Sequence, residues 1–517
     1  MLSALLALSL PSMAADPPAA PAQAPAATTA AAPTPSPDKA KVEVGGKYAL
    51  WALNQHNFML GADHPLNDAD YVVQMLRVNG KASKENYGVV VRADLAQGWW
   101  GVDNSPDVTQ TSGTDADGNV TNNTAWNPYK LFGNKDTNYG MHVDQAYAYV
   151  LVPGVSFPIE VRVGRQYYKV GHKLVLDQDG DGVQVLIKPT KTFGVDLSWA
   201  KLSEGTGSVR APTGALMNDD GARGDADLFS GTLRYAPNKK VTAEFYGIYY
   251  QDKSGDNLET YAPNGVGYLE ARFRPNLSMV SVFGLSSDAK LPVAGGLKLQ
   301  AEGAYLIGRD DVNNADHAGG LLDVNNGELS GWTAFLAADQ SLMGAPLTLG
   351  ASFGIGSGDD DVTGGKGNIN KVMTQGFFPF TNVWEDSVMP DVEGISPQGL
   401  GSPVSRGYRE FENTMAVQVR LALKPHDRVK VVASYSYFRA MNGVPGFDET
   451  GAPLPSGAVD LGQELDVNLF VNVYKGFDYA CLFGVFMPGQ AAGNLMLGNG
   501  SNLAPAWEVK QVVTAKF

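Results

Sequence analysis

Ionisable side chains recur in this sequence inside short segments whose apolar residues fall on alternate positions, and that spacing limits what they can do together. Arg92 and Asp94, Glu160 and Arg162, Glu270 and Arg272, and Glu464 and Asp466 are i, i+2 pairs. Asp196, Arg234, Glu244, Glu302 and Arg420 stand in segments of the same rhythm. On an extended chain i and i+2 share a face, so these groups form a wall of mixed sign rather than converging on one reacting atom. A wall of charge selects ions and solutes, with Arg and Lys favouring anions. Equally, opposite charges on adjacent strands pair into a ladder that stiffens the wall. Arg165 breaks the pattern, because counting from Val161 and Val163 places it on the apolar face. A bulge at Gly164 would turn it inward to join the wall, and snorkelling toward an interface is the other solution.

Asp177-Gln178-Asp179-Gly180-Asp181-Gly182 carries carboxylates at positions 1, 3 and 5 of a calcium loop and Gly at position 6. Position 12 is Lys188 rather than a bidentate Glu, so the expectation is a weak structural Ca²⁺ site on Asp177, Asp179 and Asp181, or simply a tight acidic turn. Asp115-Ala116-Asp117-Gly118-Asn119 and Asp359-Asp360-Asp361 are weaker versions. Catalysis has little support. Gly350-Ala351-Ser352-Phe353-Gly354 spells the nucleophile elbow of a hydrolase but sits in an alternating segment with no helix after it. The six histidines lack His-x-x-x-His spacing, and Cys481 stands alone among Leu482, Phe483 and Phe486, as a small apolar residue would.

The elements that must position the charged wall are strands. From Val42 onward, segments of 9–13 residues alternate, as in Val417, Val419, Leu421 and Leu423 against Gln418 and Arg420, or Leu465 and Val467 against Glu464 and Asp466. A secreted sandwich would read the same way with its apolar face inward. Three features favour a barrel in lipid. Short turns such as Pro237–Lys240 and Lys424–Asp427 alternate with long polar loops at Asp103–Asn138, Ser203–Asp225, Asp310–Glu328, Asp359–Glu410 and Ala440–Leu461. Aromatic residues (Trp99-Trp100, Tyr147/Tyr149, Tyr249-Tyr250, Tyr435/Tyr437) sit near segment ends, as interfacial girdles would. The last amphipathic segment ends on Phe517. Counting segments predicts an all-β, transmembrane antiparallel β-barrel of about 18 strands with long extracellular loops, provided Gly265–Ser287 supplies one strand. A barrel of that size leaves an aqueous lumen. The span Asp359–Glu410 is long enough to fold into the lumen or cap it.

Composition agrees. Lys and Arg total 39 against 54 Asp and Glu, a net charge of −15 without a basic stripe, which excludes nucleic acid as a partner. No run of about 20 apolar residues is present, which excludes a helical membrane span. Leu2–Leu10 followed by Met13-Ala14-Ala15 reads as a signal peptide over residues 1–15, and the Ala/Pro-rich stretch 16–41 as a periplasmic tether to a barrel over 42–517. Such a barrel meets outer-membrane lipid and lipopolysaccharide.

Val161-Arg162-Val163-Gly164-Arg165-Gln166, followed by Gly171, resembles the Gly-Arg-Gln strand of the alginate export family of outer-membrane barrels. Gly462-Gln463-Glu464-Leu465-Asp466, followed by Val485-Phe486-Met487-Pro488-Gly489, resembles that family's final hairpin. The chain departs from the pattern after Gly171, at His172-Lys173-Leu174. The resemblance implies passive passage of an anionic oligo- or polysaccharide past lumenal Arg, aided by a periplasmic scaffold protein. Two alternatives fit the mixed wall as well: a general small-solute porin, and a sleeve enclosing a periplasmic or electron-transfer partner.

Overall fold

The computed structural model describes residues 40–61, 67–100, 112–114, 120–122, 140–203, 226–252, 279–293, 295–311, 326–358, 381–385, 411–446, 454 and 457–517. The expected signal peptide and nearly all of the tether lie outside them, as do Glu270, Arg272 and the two weaker acidic clusters at 115–119 and 359–361. In chain order the strands are β1 (Lys41–His56), β2 (Ala69–Lys84), β3 (Tyr87–Trp99), β4 (Ser112–Thr114), β5 (Val120–Asn122), β6 (Gly140–Leu151) and β7 (Ile159–Lys169). There follow β8 (Asp177–Ile187), β9 (Phe193–Ser203), β10 (Ala226–Asn238), β11 (Val241–Asp252), β12 (Met279–Leu291), β13 (Leu297–Asp311) and β14 (Asn326–Ser341). The last are β15 (Leu347–Gly356), β16 (Thr414–His426), β17 (Val429–Val444), β18 (Ala458–Tyr474), β19 (Phe477–Pro488) and β20 (Ala506–Lys516), with helix α1 (Gln490–Leu497) between the final two.

Eighteen of these strands form one antiparallel sheet, and β20 pairs back onto β1 from Lys47↔Lys516 to His56↔Trp507, so the sheet closes. Among the described residues the small β4–β5 hairpin pairs only with itself. Closure leaves no edge strand and satisfies the backbone internally, the condition for crossing a bilayer. Burial separates barrel from sandwich. Val417, Val419, Leu421 and Leu423 are exposed, while Gln418 and Arg420 are buried. Leu465 and Val467 are exposed, while Glu464, Asp466 and Asn468 are among the most buried residues of the chain. The apolar face of these strands therefore points outward, to lipid. Aromatic rings stand on the outer surface near the short turns, among them Tyr87, Phe193, Tyr235, Tyr474, Phe477 and Phe517, where amphipathic rings meet the interface.

All eighteen expected segments are strands, with shifted bounds. Of the expected segment Gly265–Ser287, the described residues begin at Met279 and belong to strand β12. Tyr147 and Tyr149 do not belong to an outer girdle. Their alternation matches buried Gln145, and the Arg162 guanidinium lies over the Tyr147 ring at 5.4 Å. Asp177–Gly182 is no loop: it opens β8 and pairs with β7 from Lys169↔Asp177 to Gly164↔Gly182.

Candidate functional site

Two segments enter the lumen. The first is the tip of the β7–β8 hairpin. Pairing of β6 with β7 stops at Ala146↔Arg165, and pairing of β8 with β9 starts at Asp181↔Lys201, while β7 and β8 stay paired out to Lys169↔Asp177. Residues 166–180 therefore leave the wall as an independent hairpin. It bends inward at two glycines in register, Gly164 and Gly182, and its apex packs Val170, Leu174, Val175 and Leu176 into a buried cluster with Tyr246, Leu306 and Phe335. The apex is anchored on inner faces several strands away. Gly171 N donates to Glu244 Oε1 (2.8 Å), His172 N donates to Glu302 Oε2 (2.5 Å), and Tyr246 Oη donates to Glu302 Oε1 (2.7 Å).

The His172 ring completes the anchor, with Nε2 3.3 Å from Asp288 Oδ2 and Nδ1 3.1 Å from Glu302 Oε2. Burial alone would lower its pKa, but hydrogen bonds to Asp288 and Glu302 outweigh burial and push it up to about 9 from 6.5. A pKa raised on folding gives stability that is full below the unfolded value and is lost as pH rises through the folded one. The latch is therefore expected to hold at about pH 6 and to weaken between about pH 7 and 9, by roughly 3 kcal/mol at most. Thermal unfolding in detergent should show a loss of stability over that window in the wild type and a much smaller one in His172→Asn. Equal pH slopes in the two proteins would refute the latch.

The second segment, Thr381–Glu385, is the described part of the long span Asp359–Glu410, and it lies buried inside the barrel as its length suggested. The Glu464 carboxylate accepts three consecutive backbone N–H groups, from Asn382 (2.9 Å), Val383 (2.6 Å) and Trp384 (2.9 Å). Lys510 Nζ donates to Asn382 O at 2.9 Å, and Asn382 Nδ2 donates to Asn468 Oδ1 at 2.7 Å. The Trp384 ring stacks on Phe486 with centroids 4.8 Å apart. Three backbone donors and one carbonyl of the inserted peptide are thus met by the wall, in keeping with what burial of backbone in a membrane protein requires.

Among the described residues, the charged side chains singled out by spacing share the inner face apart from Arg165, and most are committed to partners. Arg92 Nε donates to Asp144 (2.7 Å), and Arg77 bridges Asp94 (2.6 Å) and Asp144 (2.8 Å). Arg162 pairs with Glu160 and reaches Gln184, whose amide donates to Asp196 at 2.7 Å. Asp466 accepts from Ser434. Arg234 and Glu244 are register partners on β10 and β11, with Arg234 exposed. Arg420 reaches across β15 to Asp339 at 2.9 Å, and Gly350, the register partner of both, makes room for it. Ser352 accepts from Arg420 as well. The Gly-x-Ser-x-Gly spelling therefore belongs to a strand and an ion pair, not to a nucleophile elbow.

Arg165 is a correction. No register shift occurs at Gly164, so no bulge turns the side chain, and Arg165 stays on the face of exposed Val163. There its Nη1 lies 3.5 Å from Asp181, and its Nε donates to Val143 O (2.7 Å), next to where the hairpin leaves β6. The calcium reading changes too. Asp177 accepts from Tyr167 and Lys173, and Asp181 faces Arg165, so the three carboxylates do not converge. Asp179 instead joins His142 and Asp144, with ligand atoms within 4.8 Å of one another, a group that could hold a metal ion. An imidazole with two carboxylates suits a transition metal better than calcium's all-oxygen shell.

Spacing missed Asp144, His172, Asp339 and Lys510. A register shift between Arg92 and Ala93 lets Asp144 join the inner face, and alternation alone could not show it. Lys510 carried a signal, since alternation from Trp507 and Val509 turns it to the opposite face.

Known structures share this architecture. OccAB1 of Acinetobacter baumannii is similar at 11% identity over 92% of this chain and 97% of that one, with a TM-score of 0.50. OccK5 (OpdH) of Pseudomonas aeruginosa is similar at 12% identity over 92% and 98%, with a TM-score of 0.48. These likenesses concern the fold. Among curated proteins no sequence matches. The family described as alginate export matches residues 130–496, which takes in both in-folded segments and the carboxylates that anchor them. The protein is thus a multi-pass β-barrel of the outer membrane, and it belongs to the alginate export family.

Proposed function

We propose that this barrel is a channel for small polar solutes, passing through a lumen narrowed by the β7–β8 hairpin and the Thr381–Glu385 segment. The observation that carries the reading is the way both segments are fixed. Each is held to the inner wall by a buried carboxylate that accepts backbone N–H, one from the hairpin at Glu302 and three from the inserted peptide at Glu464. Permanent obstacles of this kind suit solutes of a few heavy atoms. They also argue against a sleeve, because an enclosed protein would have to displace both segments. A second reading, an extended anionic polysaccharide threaded past the same obstacles, is favoured by the family's description and would bring a periplasmic scaffold protein as partner.

Planar-bilayer recording separates the two. Reconstituted barrel is expected to carry succinate and gluconate currents and to be little affected by alginate oligomers. Voltage-driven passage of the oligomers, seen as length-dependent current blockades, would overturn the small-solute reading in favour of the polymer.

A further inference from the structure

Where the β7–β8 hairpin turns into the lumen, β6 loses a neighbour. Its ladder with β7 ends at Ala146↔Arg165, so residues 140–145 at the long-loop end of β6 have no backbone pairing on that side. Arg165 Nε reaches back to Val143 O at 2.7 Å. Within this stretch His142 and Asp144 are i, i+2 neighbours and share a face. Asp179 of β8 comes up to them from the base of the hairpin.

Asp179 differs from the carboxylates on either side of it. Asp177 accepts from Tyr167 and Lys173, and Asp181 faces Arg165. Asp179 Oδ1 is buried without a hydrogen-bond partner, which is costly for a carboxylate. The groups it meets are the His142 imidazole and a second carboxylate, Asp144, with ligand atoms within 4.8 Å of one another. Like charges this close disfavour one another unless a cation stands between them. Arg92 and Arg165 ease the charge on Asp179 from a distance, but neither donates to Oδ1. Arg77 and Arg92 hold Asp144 by Oδ2, at 2.8 and 2.7 Å. Its Oδ1 lies 3.3 Å from His142 Nε2. That is longer than the roughly 2.7–2.9 Å of a charge-assisted hydrogen bond. It equals the separation of about 3.3 Å between two ligand atoms that each stand about 2 Å from a tetrahedral zinc ion.

We propose that His142, Asp144 and Asp179 bind a divalent transition-metal ion of the zinc class, which ties the base of the inserted hairpin to β6 where their backbone pairing has ended. One imidazole nitrogen and two carboxylate oxygens make up the donor set, and water fills the remaining position. The exposed His142 ring lets the ion enter from the medium at the long-loop mouth. The ion supplies the positive charge that Asp179 Oδ1 lacks and replaces the missing ladder with a strut, whatever solute the channel carries.

The test titrates Zn²⁺ into the whole barrel, purified in detergent without a histidine tag and stripped with EDTA. Calorimetry is expected to show one zinc ion bound per chain, with uptake unchanged by about a hundredfold excess of Ca²⁺. His142→Ala and Asp179→Asn should each weaken binding by about tenfold or more, since even outer-shell partners of a metal are worth about 10–100-fold. His56→Ala should leave binding unchanged, although His56 is another exposed imidazole beside a carboxylate, 2.7 Å from Asp68. Zinc should raise the unfolding midpoint of the wild type and slow hydrogen exchange over residues 140–145 and 166–180, and should do neither in His142→Ala. Folding of each variant is checked by heat-modifiable gel mobility, and the exposed His142 keeps the test open if Asp179→Asn does not fold. Absence of zinc uptake by the wild type, or uptake that neither variant weakens, overturns the site. Zinc uptake that leaves stability and exchange as they were overturns the strut.

Discussion

Glu464→Ala is expected to widen the channel. The carboxylate is fully buried and accepts the N–H groups of Asn382, Val383 and Trp384 at 2.6–2.9 Å, so it both fixes the inserted peptide and ties it to β18. Removing it leaves three buried donors without acceptors, each costing about 1–3 kcal/mol. The bond from Lys510 to Asn382 O and the Trp384–Phe486 stack remain, but neither serves those donors. The peptide should leave the wall for water, and single-channel conductance should rise by roughly twofold or more as the lumen clears. Glu464→Gln should fall between. Its amide oxygen can keep the two bonds now made by Oε1, while its amide nitrogen confronts the Trp384 N–H, donor against donor. A Glu464→Ala barrel that folds and conducts like the wild type would show that the segment is held without the carboxylate, by its bonds to Lys510 and Asn468 and by its rings.

Leu465 facing lipid, with Glu464 and Asp466 facing the lumen, follows directly from the period of two, which fixes the face that each side chain takes. What the period cannot supply is the partner. Glu464 looked like a pore charge because its true ligands are backbone N–H groups about 80 residues upstream, the Val383 N–H being 81 away, in a stretch without alternation. The β7–β8 hairpin was hidden for a different reason. Residues 166–180 pair with one another whether they stay in the wall or leave it, and only the ends of the β6–β7 and β8–β9 ladders decide. Those ends depend on register with neighbours, which no single segment encodes. Arg165 shows the converse: strict alternation placed it outward correctly, and the added bulge moved it to the wrong side.

The departure of the hairpin should fail if either pivot glycine gains a side chain. Gly182 and Gly164 are register partners at the point where β7 and β8 leave the wall. A Cβ at Gly182 would collide with Trp199 O and lie 2.8 Å from Ala200 Cα, both backbone atoms of the adjoining strand β9. A Cβ at Gly164 would collide with Ala146 O on β6 and lie 3.0 Å from Tyr147 Cα, and its φ of +124° is one that L side chains rarely adopt. Neither clash can be relieved by rotating a side chain, so the wall must open or the hairpin must straighten into it. Gly182→Ala and Gly164→Ala are each expected to cost about 4 kcal/mol or more, the range reached by strained or overpacked sites. The readout is the yield of heat-modifiable, folded barrel and its unfolding midpoint in denaturant. Gly80→Ala is the control, because its Cβ would meet nothing within 4 Å and its φ is ordinary, so it should change stability by less than about 1 kcal/mol. Since the two pivots face each other, the double variant should cost less than the two single costs added together, as expected for residues that share one distortion. Additive costs would mean that each glycine serves only its own strand, β7 against β6 and β8 against β9, and that the inward bend does not depend on their pairing.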